Sequence, residues 1–141
     1  MGVGSDDVLA MSFLTFFNSK KPILFPDITY SFYDVWAELF HIPYRCPELD
    51  NDFRLVKEDY LTENGGIVIP NPNAPTGLFE SLDTIEEIVA GNPDSMVIID
   101  EAYVDFGGVQ RMSCGSMYDN CWIVPDFPES RPMVREIRDW L

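Results

Sequence analysis

An α/β fold, a mostly parallel sheet with helices on both faces, is what this sequence predicts. Three observations carry the prediction. Short apolar runs alternate with segments of helical periodicity along the chain. The clearest runs, GIVIP (66–70) and MVIID (96–100), are continuous in polarity, as strands covered on both faces require. The length, 141 residues, suits one compact domain with a real hydrophobic core.

The elements follow in order. Ser5-Asp6-Asp7 reads as a helix start, with a capping serine and acids in the first turn, where the helix dipole favours them. The next residues, VLAMSFLTFF, are apolar nearly all round and predict a helix buried on more than one side, ending at Asn18 and Ser19. PILF (22–25) is a short strand bounded by prolines. Residues 31–41, SFYDVWAELFH, place Phe32, Val35, Trp36, Leu39 and Phe40 on one helical face. PYRCPEL (43–49) reads as a second strand, and 49–65 as an acidic polar stretch. GIVIP leads into NPNAPTG (71–77), whose prolines, asparagines and glycine make it a loop. Residues 81–90 form an amphipathic helix before the MVIID strand.

Composition narrows the function. With 9 Lys+Arg against 24 Asp+Glu the formal net charge is −15, which repels nucleic-acid phosphate and anionic membrane alike. At 46% hydrophobic and 13% aromatic, the chain is too apolar for a disordered acidic tail. No apolar run approaches a membrane span, and the N-terminus carries acids where a secretory signal carries bases. Cys46, Cys114 and Cys121 lack CxxC spacing and read as reduced thiols of a cytoplasmic protein. His41 is the single histidine, so a His-rich metal site or a two-His mechanism is excluded.

In such sheets ligands bind beyond the carboxyl ends of the strands. Three polar groups fall there: Asp27–Tyr33, NPNAPTG, and Asp100-Glu101-Ala102-Tyr103. MVIIDE alone resembles the acidic strand of a nucleotide hydrolase, but Lys20, Lys21 and Lys57 have no GxxxxGK[ST] glycines before them. Gly2-Val3-Gly4 begins a GxGxxG pattern that fails at Asp7.

Taken in order and spacing, GSDDVL, PDITYSFY, NPNAPTG and VIIDEAYVDF resemble the large domain of fold-type-I aminotransferases that use pyridoxal phosphate (PLP), of the histidinol-phosphate type. The resemblance covers 4–108. Residues 118–135 look like a degraded copy of the segment that carries the family's catalytic lysine. The chain therefore divides into a large-domain core, 1–108, and a divergent tail, 109–141.

The resemblance implies a role for particular residues. Gly4, Ser5 and Asp6 match the loop that holds the cofactor phosphate at a helix start; taken alone they equally fit an ordinary cap. Tyr30 matches the aromatic that stacks on the pyridine ring; without the other motifs it would be a half-buried turn tyrosine. Asp100 matches the aspartate that pairs with the pyridinium nitrogen, and Tyr103 the phenol that bonds the ring oxygen. Ala74 stands where NPTG-type sequences have an asparagine, leaving Asn73 or Asn71 to substitute. Glu101 receives no role.

Two departures matter. Phe127-Pro128-Glu129-Ser130-Arg131-Pro132 aligns with the family's F-S-K-S-R-S, so Glu129 stands at the lysine position and Pro128 replaces a serine that contacts phosphate. A carboxylate cannot form the Schiff base or shuttle the proton as an amine does. Arg131 still matches a phosphate contact, while Arg138 lies one place off the second. The chain also lacks the family's N-terminal arm and its small domain. This implies bare apolar surface at Phe13, Phe16, Phe17, Trp36 and Trp140, and hence self-association or a partner that completes the sheet. Two readings follow. One is a fragment of a transaminase of histidine biosynthesis, moving an amino group between an amino acid and a 2-oxo acid or phosphorylated carbonyl compound, and inactive as this chain. The other is a non-catalytic remnant that binds PLP, pyridoxamine phosphate or a protein.

Overall fold

The computed structural model describes residues 5–103 and 118–125. Among these residues nine elements follow one another: α1 (Ser5–Phe16), β1 (Ile23–Leu24), α2 (Tyr33–Leu39), β2 (Tyr44–Arg45), α3 (Lys57–Tyr60), β3 (Gly66–Pro70), α4 (Leu82–Gly91), β4 (Val97–Glu101) and β5 (Cys121–Pro125). The five strands form one parallel sheet in the order β2-β1-β3-β4-β5. The predicted α/β class and parallel sheet are therefore what the chain adopts.

Every residue of β3 and β4 is buried, and alternate residues feed two cores. Ile67, Ile69, Val97 and Ile99 pack under α3 and α4 with Tyr60, Ile85, Ile88 and Val89. Val68 and Ile98 point the other way, into Leu9, Phe13, Phe17, Tyr33, Trp36 and Ala37 of the α1–α2 side. This is why the strand runs carry no polar alternation: both sides of the pleat meet a helix layer. Each fully buried aliphatic chain contributes roughly 1.5–3 kcal/mol of transfer free energy.

The strand order reverses between β1 and β3. The connection from β1 to β2 runs through α2 on one face, and that from β3 to β4 through α4 on the other. Such a reversal splays the two loops that leave β1 and β3 and opens a crevice at the carboxyl edge. Helix α1 spans the sheet from edge to edge. At one end Phe17 sits on Gly66, the first residue of β3, where a Cβ would lie 2.2 Å from Phe17 Cε1 and φ is +149°. Only glycine admits both the close ring and that backbone. At the other end Ser5 and Asp6 reach the crevice.

Several expectations are corrected. Among the described residues α1 runs from Ser5, whose own backbone is already helical and so is not that of a flanking cap. It is buried along one face only, by Leu9, Phe13 and the following Phe17, while Met11 and Leu14 face outward. On α2 the buried set is Tyr33, Trp36 and Ala37, whereas Phe32, Val35 and Leu39 are exposed. Two apolar stripes compete on this helix, and the i, i+3, i+4 set starting at Tyr33 wins by joining the aromatic cluster around Phe13. Phe13, Phe17 and Trp36 are accordingly buried, and Phe16 touches the Trp122 ring at 5.9 Å; Trp140 lies outside the described residues. The acidic stretch contains the short helix α3, and β5 adds a strand within 109–141.

Of the three cysteines, Cys114 lies outside the described residues and the other two differ. Cys46 is a free thiol, whereas Cys121 is disulfide-bonded. A disulfide asks only that the fold bring two cysteine Cα atoms within about 4.4–6.8 Å, whatever their sequence spacing. Among the described residues no group of His, Cys, Asp and Glu is placed to hold a metal, and no helix is long and apolar enough to cross a membrane.

Candidate functional site

The carboxyl edge of the sheet gathers most of the residues singled out in the sequence. Asp100 is the penultimate residue of β4 and lies opposite Pro70 of β3 and Val124 of β5. Strand alternation turns it to the same side as Ile98, toward α1 and α2. There it is 4% exposed. Its Oδ2 accepts a hydrogen bond from the Tyr33 hydroxyl at 2.6 Å, and its Oδ1 accepts the Ala102 N–H at 3.0 Å. A carboxylate this deep is costly unless such donors meet it.

Tyr30 stands in the loop after β1, half-buried. Its ring stacks on Phe32 (5.6 Å between centroids, 26° between planes) and meets the edge of Tyr33 at 5.7 Å. Its hydroxyl donates to Asp6 Oδ1 at 3.0 Å, which ties the first turn of α1 to this loop. Burial, then the bond to the Asp6 carboxylate, pushes the Tyr30 hydroxyl up to about 12. Tyr103, two residues past β4, lies close enough to act electrostatically on both Tyr30 and Tyr33.

The NPNAPTG loop closes the crevice from the β3 side. Asn73 Nδ2 donates to the Ile28 carbonyl at 2.9 Å, so this one side chain bridges the loops after β3 and β1 across the switch point. Asn73 Oδ1 is buried without a hydrogen-bond partner among the described residues. Asn71 is different. Its Oδ1 accepts the Glu80 N–H at 3.0 Å and its Nδ2 points to the Glu80 carbonyl at 3.5 Å, which closes the loop upon itself. Of the two asparagines, Asn73 is the one whose side chain keeps an unpartnered polar atom among the described residues. Pro72, Asn73, Ala74, Pro75, Gly77, Phe79 and Tyr103 line a cavity of about 250 Å³ beside it.

Ser5, Asp6, Tyr30, Asn73, Asp100 and Tyr103 thus share one edge, on four different connections of the fold. Gly4, Glu129, Arg131 and Arg138 lie outside the described residues. Of the lysines, Lys20 and Lys21 precede β1 at the opposite edge, and Lys57 is bonded to Glu87 of α4. The sequence reading included one further residue of the site, Tyr33, only as the end of the polar stretch 27–33, with no role. Tyr33 is fully buried, and burial together with Asp100 holds its hydroxyl well above the ordinary tyrosine range. The signal was its three-residue spacing from Trp36 on the inward face of α2, because a buried phenol needs an acceptor.

These residues fit a PLP ring and phosphate in kind: a buried carboxylate for a protonated nitrogen, tyrosines at the rim, a helix N-terminus for an anion, and an orphaned amide oxygen. Covalent attachment is a separate matter, because no described lysine stands at this edge.

Comparison with known proteins gives the same family. The model of the family "Aminotransferase class I and II" matches residues 1–123. Histidinol-phosphate aminotransferase of Lactococcus lactis subsp. cremoris is 55% identical over 134 residues, which are 95% of this chain and 38% of that protein. The crystal structure of histidinol-phosphate aminotransferase from Clostridium acetobutylicum superposes with a TM-score of 0.75 at 22% identity, covering 85% of this chain and 37% of that one. A PLP-bound C-S lyase from Staphylococcus hominis superposes at 0.65 and 22% identity, over 82% of this chain and 33% of that one. The chain thus spans well under half the length of these relatives. On its sequence and its fold it belongs to the class I and II aminotransferases.

Proposed function

We propose that this chain is the cofactor-ring half of a PLP-dependent aminotransferase of the histidinol-phosphate type, and that by itself it binds the cofactor without turnover. The observation that carries the reading is Asp100, a carboxylate buried at the end of β4 and held by two donors at the switch-point crevice. PLP, when bound, supplies an electron-accepting pyridinium ring. Asp100 would hold the proton on the ring nitrogen, because a buried carboxylate stabilises a neighbouring cation. The Tyr30 ring would cover one face of the pyridine, steadied by its bond to Asp6. Tyr103 and Asn73 flank the cavity where the ring oxygen would lie. The N–H groups of Gly4, Ser5 and Asp6 would hold the phosphate at the start of α1, with Arg131 as a second contact.

Glu129 is what removes catalysis. Amino transfer between an amino acid and a 2-oxo acid or phosphorylated carbonyl compound needs an amine that attaches the cofactor and then moves a proton, and a carboxylate does neither. The same residue favours a second reading, a remnant whose remaining task is to bind PLP, pyridoxamine phosphate or a partner chain. Exposed Met11, Leu14, Phe32, Val35 and Leu39 support self-association or a covering partner under either reading.

Borohydride reduction after incubation with PLP, followed by intact and peptide mass spectrometry against a denatured control, tests the proposal. The native chain is expected to show no stoichiometric pyridoxyl adduct, and Glu129→Lys to gain one at that position. A stoichiometric adduct on a lysine of the native chain would overturn the inactive reading. A Glu129→Lys variant that gains nothing would overturn the intact-pocket reading.

A further inference from the structure

We propose that Tyr33 is the positioning residue for Asp100: its buried hydroxyl holds that side chain as an ionised carboxylate and fixes its orientation at the crevice. The inference rests on the reading of Asp100 given above for its purpose, but the contact itself lies between two residues of this chain.

Tyr33 opens α2 and is completely buried. Its ring is wedged between Phe25 (5.8 Å), Phe13 (6.2 Å) and Trp36 (6.3 Å), so it cannot swing away from the sheet. From that seat the hydroxyl reaches across the layer to Asp100 Oδ2 at 2.6 Å, a length typical of a hydroxyl meeting an ionised carboxylate. The Ala102 N–H holds the other oxygen from the turn after β4. Donors from two separate elements therefore fix the plane of the carboxylate.

Packing does not require this bond. Phenylalanine would fill the same space among the same rings, so the hydroxyl has a task other than filling the core. A hydrogen bond made to the charged form favours the charged form. Burial works in the opposite direction, toward the neutral acid, which could not hold a proton on a ligand nitrogen. Tyr33 offsets that penalty. Two further phenols face the pair: Tyr30, from the loop after β1, whose hydroxyl donates a hydrogen bond to Asp6 of α1, and Tyr103, from the turn after β4.

The test is carbon-13 NMR of the full chain with carboxyl-labelled aspartate, titrated with acid, in wild type and Tyr33→Phe, the Asp100 signal being assigned through Asp100→Asn. Loss of the hydroxyl should raise the Asp100 midpoint by about 1–2 pH units and leave the other aspartates in place. An unmoved midpoint overturns the proposal. If Tyr33→Phe does not fold, labelled tyrosine in the wild type decides: a slowly exchanging, downfield Tyr33 hydroxyl proton is expected, and its absence overturns the proposal. A parallel titration with pyridoxamine phosphate separates the two claims. A moved midpoint without binding by the wild type keeps the Tyr33 role and rejects the cofactor reading. Binding with an unmoved midpoint does the reverse.

Discussion

Replacing Gly66 by alanine should unseat α1 and destabilise the whole domain. The added Cβ would lie 2.2 Å from Phe17 Cε1 and 2.5 Å from Cδ1, well inside any real carbon contact. Phe17 has no easy retreat, since it is 3% exposed and its ring meets Phe13 edge-on at 5.1 Å. Overpacking of this kind costs about 1–3 kcal/mol. The φ of +149° adds strain for any residue with a Cβ, about another 1–3 kcal/mol. The sum, about 2–6 kcal/mol, is a large fraction of a typical stability of about 5–15 kcal/mol. Urea unfolding followed by far-UV circular dichroism and tryptophan fluorescence reads the loss. Combining Gly66→Ala with Phe17→Leu isolates the steric part, because the pair should recover at least about 1 kcal/mol relative to the sum of the single changes. A loss below about 1 kcal/mol in Gly66→Ala, or strictly additive effects, would refute the claim that this contact seats the helix.

Other outcomes follow from the same structure. Asn92→Ala should cost about 2–4 kcal/mol in urea, because its side chain accepts from Asn64 and donates to the carbonyls of Tyr60 and Ile88 beneath the amino edge of the sheet. The folded Tyr30 phenol titrates near 12 against an ordinary value of 10. It therefore contributes stability that is full below pH 10 and lost as pH rises through 10–12. Absorbance at 295 nm should lose a component in that upper range in Tyr30→Phe. Light scattering on a sizing column should give a mass above that of one chain, and Leu14→Glu with Leu39→Glu should lower it; a clean wild-type monomer would count against the exposed α1 and α2 surfaces as contacts.

The two central strands were legible because burial on both faces leaves a continuous apolar run, and β3 and β4 lie within one residue of where GIVIP and MVIID placed them. The helices were legible in extent but not in facing. On α1 and α2 apolar residues fall on more than one face, so periodicity cannot choose a side, and the choice falls to long-range partners such as the Phe13–Trp36 contact. Strand β5 went unread although CWIVP is apolar, because the glycine-containing, largely polar sequence before it carries no helical period to mark a crossover. Helix α3 was hidden by its acids; its one buried residue, Tyr60, supplies no period. At the site, the resemblance pointed to Tyr30, Asp100 and Tyr103, and the fold brings these three to one edge of the sheet. The resemblance gave no role to Tyr33, whose partner is 67 residues away and is brought near only by the sheet.

Equilibrium dialysis with pyridoxamine phosphate, a ligand that needs no lysine, addresses the central claim most directly when wild type is compared with Asp100→Ala. The account predicts saturable binding at one site per chain, weakened about tenfold or more when the carboxylate is removed. A wild type that does not bind saturably, or an Asp100→Ala variant that binds as well as the wild type, would contradict it.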